Sequence, residues 1–302
     1  MLDKFKIGHA DNDNTGVTVI LSEDGATGGV HVMGGAPATR ETDLLKSGNT
    51  VQKINAVVLA GGSAYGLEAA SGVMEYLREK GFGYDAGGYI VPIVTGACIY
   101  DLEKGDFDYP KKEMGYDACR LAKENNFFSG SFGGGKCATV GKILGMKCAE
   151  NGGVGVAFTK TGGAEMAVIT VVNALGDVVD KNGDVIAGTK VMGLHVGAKK
   201  AIETRGKIQN LTAKNTTISC ILTNAKLTKT EVNRLCEIAH DGYAMAISPV
   251  HTMYDGDAIF GMASGEVEAD FFSMCVAAPG LVAEAIRNAV KKDKKKKNEE
   301  SL

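Results

Sequence analysis

The chain has 302 residues, a net charge of −3, 44% hydrophobic and 23% charged residues, which is the makeup of an ordinary globular protein. That charge gives no electrostatic footing for nucleic acid as a partner, and no apolar run reaches the ~18 residues of a membrane span. Seven scattered cysteines with no C-x-x-C pair argue against a zinc cluster or disulfide framework, and for a reduced, cytoplasmic protein with buried thiols.

Met1–Lys6 has no apolar core, so no signal peptide is expected there. Val17–Leu21 and Val30–Met33 read as two strands around a glycine-rich turn. Gly34-Gly35-Ala36-Pro37 opens a loop. Asn55–Leu59 is a short apolar run, followed by a helix over 63–80 with Ser63 as its N-cap and Leu67, Ala70, Met74 and Leu77 at helical spacing. Ile90–Val94 reads as a strand, and Glu113–Asn125 as a second helix. Val154–Phe158 and Ala167–Leu175 are strongly β. Lys181-Asn182-Gly183 turns back into Val185–Ala187. Residues 188–215 are the least regular stretch and read as an exposed linker. A strand then begins at Thr216. Thr228 and Glu231 form a capping box for a helix, Ala258–Ala263 is a strand, and the last helix is expected over Pro279–Val290, with proline at its start. The lysine-rich tail from Lys291 reads as a frayed, solvated end. Strands and helices interleave with hairpins and long connections, which fits a mixed α+β domain better than a doubly wound parallel sheet.

Several constellations carry chemistry. Asn215-Thr216 is either a turn before a half-buried strand or a self-cleavage point. A threonine hydroxyl is a weak nucleophile, but a freed α-amine on the same residue can serve as its base, since its ordinary pKa lies near 8. Asp255-Gly256-Asp257 places two carboxylates on one side of an extended chain; it is a turn, or a pair that orients the threonine and moves a proton. Gly130–Cys137 comes close to a phosphate loop but ends in cysteine instead of a hydroxyl residue and follows a helix, so nucleotide binding is not expected. Lys142 is a surface lysine or a group that stabilises developing negative charge. Asn173, inside an apolar strand, is a satisfied structural amide or an oxyanion donor. Tyr100 is a half-buried aromatic or a phenolic donor. The five histidines show no ligand spacing and read as structural or surface residues.

At these residues the chain resembles the DmpA-type self-processing aminopeptidases, which include β-peptidyl aminopeptidases and 6-aminohexanoate-oligomer (nylon oligomer) hydrolases. The likeness runs from Ile7-Gly8-His9-Ala10 through GGAPATRETDLL, LAGGSAYGLEAASGVMEYL, Val91-Pro92-Ile93-Val94, Ala138–Lys142 and Val172-Asn173-Ala174 to Asn215-Thr216 and His251–Asp257. It implies a four-layer αββα sandwich, a single hydrolase domain over 1–302 that cuts itself into 1–215 and 216–302. By resemblance Thr216 is the nucleophile, Asn215 the residue it is cut from, Asn173 the oxyanion amide and Lys142 the catalytic lysine, with Tyr100 as a further match. Asp255 and Asp257 match the acidic pair of the nylon-hydrolase branch, where the aminopeptidase branch has a serine and a glutamate. The expectation is an amidohydrolase acting on small peptides or aminohexanoate oligomers, without metal or cofactor, and a homo-oligomer, a tetramer of paired chains. Acyl transfer of the ornithine acetyltransferase kind and an uncleaved binding protein are the alternatives.

Overall fold

The computed structural model describes residues 2–205 and 214–291. Its main strands and helices are β1 (Lys6–Asp11), β2 (Gly16–Val32), β3 (Lys53–Ala60), α1 (Ala69–Glu79), β4 (Val94–Cys98), α2 (Lys112–Arg120), β5 (Gly153–Thr161), β6 (Ala164–Asn173), β7 (Thr216–Ala225), α3 (Lys229–Ala239), β8 (Ala258–Val267) and α4 (Phe271–Ala289). Hydrogen bonds link the strands in the order β5-β6-β7-β8-β2-β3-β4, with Thr39–Arg40 on the far edge and β1 also paired to β2. Two neighbouring pairs are parallel, β7 with β8 and β3 with β4. Each needs a crossover, which α3 and α1 supply.

β2 belongs to both halves of this sheet. Val17–Leu21 pair with β1 and β3, a register shift follows between Leu21 and Ala26, and Thr27–Val32 pair with β8. The halves therefore face each other. Strand alternation sorts the side chains accordingly. Ile20, Val57 and Leu59 meet Ile169, Ile218, Cys220 and Phe260 in one apolar layer between the halves. Val19, Leu21, Ala56 and Val58 point the other way, to Val73 and Leu77 of α1 and Ala118 of α2. Val168, Ile221 and Ile259 point to Val232 and Leu235 of α3 and Val282 and Ile286 of α4. Three apolar layers thus separate four structural ones, helix–sheet–sheet–helix, as the family resemblance implies.

Local expectations were met unevenly. Thr228 and Glu231 form the capping box, and Asp177–Val179 pairs with Val185–Ala187 across the Asn-Gly turn. The two strands expected around residue 25 are one long strand. Gly28 and Gly29 there are not turn residues: a Cβ at Gly28 would lie 2.8 Å from Leu45, and one at Gly29 2.7 Å from Val232. The Ser63 region begins as a 3-10 turn with no side-chain cap and becomes α-helical at Ala69. The second helix stops at Arg120, because Lys123–Glu124 pair with β1. The last helix begins eight residues before the expected proline. Asp270 caps it by accepting from Ser273 N–H, and Pro279 sits inside it. An internal proline costs a helix about 3 kcal/mol. The buried face of Met274, Ala278, Val282 and Ile286 against β5 and β6 outweighs that cost.

The expected linker over 188–215 is partly anchored structure. Asp177 accepts from Thr189 N–H at 2.6 Å and from Ala198 N–H, and Ala198–Arg205 is helical. Residues 206–213 of that stretch lie outside the described residues, as does the lysine-rich tail beyond Lys291. Among the described residues, no helix is long and apolar enough to cross a membrane.

Candidate active site

Thr216 opens β7, a strand buried along its whole length between β6 and β8. Register places Asn173, the last residue of β6, directly opposite Thr216. On the other side the chain approaching β8 runs parallel, and Asn215 bridges to Asp255. The strand ends thus bring residues from three separate sequence regions to one point, where the peptide bond between Asn215 and Thr216 is buried.

That bond is gripped. The Thr216 hydroxyl donates to the Asn215 carbonyl, and the Gly256 N–H donates to the same oxygen at 2.9 Å. Glycine is required at 256, since a Cβ there would stand 2.8 Å from Thr216 Oγ1 and 2.7 Å from the Ala36 carbonyl. The loop carrying it is held from outside by the Gly-Gly-Ala-Pro block. Gly34 N–H donates to the Asp257 carbonyl at 3.1 Å, and Ala36 N–H to that of Asp255 at 2.9 Å. By composition that block read as a loop, and it opens one of the stretches that carry the family likeness.

The two aspartates are both buried but differently placed. Asp257 Oδ1 accepts from Thr217 N–H at 2.7 Å, and Oδ2 from His251 Nδ1 at 2.8 Å. Asp255 Oδ2 accepts from Thr252 N–H at 2.9 Å and also from its hydroxyl. Burial and then the charge of Asp257 push the Asp255 carboxyl up to about 6.

Lys142 is a buried residue, not a surface one. Its Nζ donates to the Asn173 carbonyl and to Asn173 Oδ1, each at 2.9 Å, and to the Lys214 carbonyl at 3.3 Å. Burial lowers its pKa to about 7, opposed by the charges of Asp255, Glu103 and Asp101. Asn173 Nδ2 donates to the Tyr100 carbonyl at 2.9 Å and reaches the Lys214 carbonyl at 3.5 Å. In the intact chain the Asn173 amide and the Lys142 ammonium are therefore engaged one residue short of the Asn215 carbonyl. Tyr100 contributes its carbonyl to Asn173 and its ring to Lys214, whose Nζ lies 5.5 Å from the ring centroid. The Lys214 ammonium also pairs with Glu103. A cavity of about 10 Å³ lies on this side, lined by Tyr100, Glu103, Thr139, Lys142 and Lys214 among others. The Lys214–Asn215 segment closes the site.

The structure thus brings Thr216, Asn215, Lys142, Asn173, Asp255 and Asp257 together, with Tyr100 at the rim. Sequence reasoning passed over the Gly256 amide, Glu103 and His251. Of these, Gly256 left a trace as the glycine between two carboxylates, and His251 as the first residue of the His251–Asp257 stretch.

Comparison with known proteins agrees with this architecture. The solved L-aminopeptidase D-Ala-esterase/amidase of Ochrobactrum anthropi, described as a variant of the Ntn hydrolase fold, superposes with a TM-score of 0.70 at 18% identity, covering 95% of this chain and 84% of that one. A β-aminopeptidase of a Burkholderia species superposes with a TM-score of 0.65 at 19% identity, over 94% of this chain and 83% of that one. The fold is that of an Ntn hydrolase.

The chain belongs to Peptidase family S58, which it matches over residues 3–299. It is 42% identical over 265 residues to an uncharacterized aminopeptidase of Mycobacterium leprae, covering 84% of this chain and 72% of that protein. It is 32% identical over 266 residues to the 6-aminohexanoate-oligomer endohydrolase of Paenarthrobacter ureafaciens, covering 86% and 72%. The protein is a hydrolase of peptide or amide bonds.

Proposed function

We propose that this is a self-processing amidohydrolase whose nucleophile is Thr216. The observation that carries the reading is the placement of the Thr216 hydroxyl on the carbonyl of its own preceding residue, with Gly256 N–H on the same oxygen. In processing, Thr216 Oγ1 attacks the Asn215 carbonyl carbon, and the oxyanion is stabilised by Gly256 N–H. The C–N bond breaks and its nitrogen takes up a proton, leaving an Asn215–Thr216 ester and a free α-amine. Water then cleaves the ester to an Asn215 carboxylate and a threonine N-terminus. The two pieces, 1–215 and 216–302, stay together because β7 keeps its hydrogen bonds to β6 and β8.

Scission also opens the site. Departure of the Lys214 carbonyl frees the Asn173 amide and the Lys142 ammonium for an incoming substrate carbonyl. Thr216 then attacks that carbonyl with its α-amine as base, the leaving amine takes the proton, and water releases the acyl group. The relatives point to short peptides and aminohexanoate oligomers as the substrates. Oligomerisation is part of the proposal: Phe272 and Val276 lie exposed on the outer side of α4, and light scattering on the processed protein tests it.

The deciding experiment is the intact mass of purified wild-type and Thr216→Ala protein, with turnover of short amides. Wild type resolves into two chains, with a second N-terminal sequence starting Thr-Thr-Ile-Ser, and is active. Thr216→Ala stays whole and inactive. Hydrolysis retained by the variant overturns the mechanism.

A further inference from the structure

We propose that His251 is a positioning residue for the nucleophile: it holds the Asp257 carboxylate in the orientation that fixes the backbone beside Thr216. The inference rests on the self-processing reading above and assigns a role to a histidine that shows no ligand spacing in the sequence.

Asp257 is 1% exposed and receives three hydrogen bonds. Two come from His251 to one oxygen, from Nδ1 at 2.8 Å and from the backbone N–H at 3.2 Å. The third comes from Thr217 N–H to the other oxygen at 2.7 Å. His251 has φ +53°, a left-handed conformation uncommon for a residue with a side chain. In that conformation its amide and its ring nitrogen converge on the same acceptor.

The ring itself is braced. It stacks on Tyr243 with centroids 5.5 Å apart and planes at 20°, and meets the edge of His240 at 5.0 Å. Tyr243 is fully buried, and its hydroxyl donates to the Thr217 carbonyl at 3.2 Å. Thr217 is thus held at its N–H through Asp257 and at its carbonyl through Tyr243, and the His251 ring ties the two supports together. A nucleophile at the start of a strand must keep its hydroxyl within a few tenths of an ångström of its target, and its neighbour's backbone sets that position.

The titratable groups facing the ring are Asp257 and Asp255 on its own loop, His240 and Tyr243 from the helical segment beneath, and His31 of β2. Burial opposes the charged ring, but the hydrogen bond and charge of Asp257 outweigh it and hold the His251 pKa above its ordinary value. A protonated ring offsets one of two adjacent buried carboxylates.

The test separates donor from filler. Wild type, His251→Gln and His251→Phe are purified, their folding is checked by thermal melting, and maturation is followed as splitting of the chain between pH 5 and 8. His251→Gln keeps a side-chain donor, and His251→Phe keeps a ring to stack on Tyr243. The expected result is maturation slowed about tenfold or more in His251→Phe. His251→Gln recovers most of the rate, with a pH profile lacking the histidine's limb. His251→Phe maturing as fast as His251→Gln, or both matching wild type in rate and pH profile, assigns the residue a packing role and overturns the proposal. Should His251→Phe fail to fold, the pH profile of His251→Gln decides: a profile unchanged from wild type overturns it. A wild type that stays whole overturns the underlying reading instead, and the proposal with it.

Discussion

Gly256 donates its amide to the Asn215 carbonyl at 2.9 Å, on the same oxygen that receives the Thr216 hydroxyl. Two donors on one peptide carbonyl withdraw electrons from the carbon that the hydroxyl must attack. Gly256→Ala puts a methyl group where Thr216 Oγ1 and the Ala36 carbonyl stand, so the loop must move and the donor with it. The loss of one oxyanion donor costs about 10²–10³ in rate. Maturation of Gly256→Ala, timed on a denaturing gel, is expected to slow by about 10²-fold while the protein still melts cooperatively.

The rising side of the pH dependence follows from two buried groups. Asp255, with its pKa raised to about 6, is a carboxylate only above that value. Lys142, lowered to about 7, loses its proton above that value. A carboxylate and a neutral amine are the forms that accept protons, so processing is expected to accelerate as pH rises from 5 through about 7, and to slow again where the His251 ring loses its proton. Lys142→Met is expected to remove the upper of the two limbs. Rates measured across that range in both proteins check this.

Asp255 also sets stability against function. Its folded pKa lies above the unfolded value of 3.8, so the folded chain holds the proton more tightly than the unfolded chain between about pH 4 and 6. Folding therefore loses stability as pH rises through that window, by at most about 3 kcal/mol from a shift of roughly two units. Asp255→Asn removes the ionisation but weakens the bonds from Thr252. At pH 7 it is expected to melt about 1–3 °C higher than wild type, while maturing far more slowly. Calorimetry at pH 4 and pH 7 checks the sign, since the gain should vanish at the lower pH.

Tyr243 tests the scaffold under the site. Its hydroxyl reaches the carbonyls of Thr217 and Ala258, each at 3.2 Å, and Ser219 Oγ at 2.8 Å. Tyr243→Phe leaves buried polar groups short of a partner, at a cost of about 1–3 kcal/mol. Denaturant unfolding is expected to show that loss, and self-cleavage is expected to slow as Thr217 loosens.

Most of the site could be read from the sequence, because its chemistry is concentrated in short motifs. Thr216 stands out as a hydroxyl at a strand entrance, Asp255 and Asp257 as carboxylates two residues apart, and Asn173 as an amide in an apolar strand. What could not be read lay in contacts between distant segments. Lys142 reads equally well as a surface lysine until β6 and the Lys214 segment close over it. Pro279 looks like the start of a helix because proline suits a first turn; only the packing of α4 on β5 and β6 shows that the helix runs through it. Gly28 and Gly29 look like a turn because nothing local reveals Leu45 and Val232 pressing on them.

The sequence by itself determined the alternation that sorts each strand's side chains to two faces, the capping box at Thr228, and the identities of the groups able to do acyl chemistry. Those properties are local, set by side-chain chemistry and by the period of the backbone. The tertiary structure decided which hydroxyl meets which carbonyl, which lysine is stripped of water, and that His251 turns its ring toward Asp257. Each of these depends on register between strands up to 200 residues apart in the chain, such as β2 against β8, and on the burial that results. Neither is encoded within any short stretch.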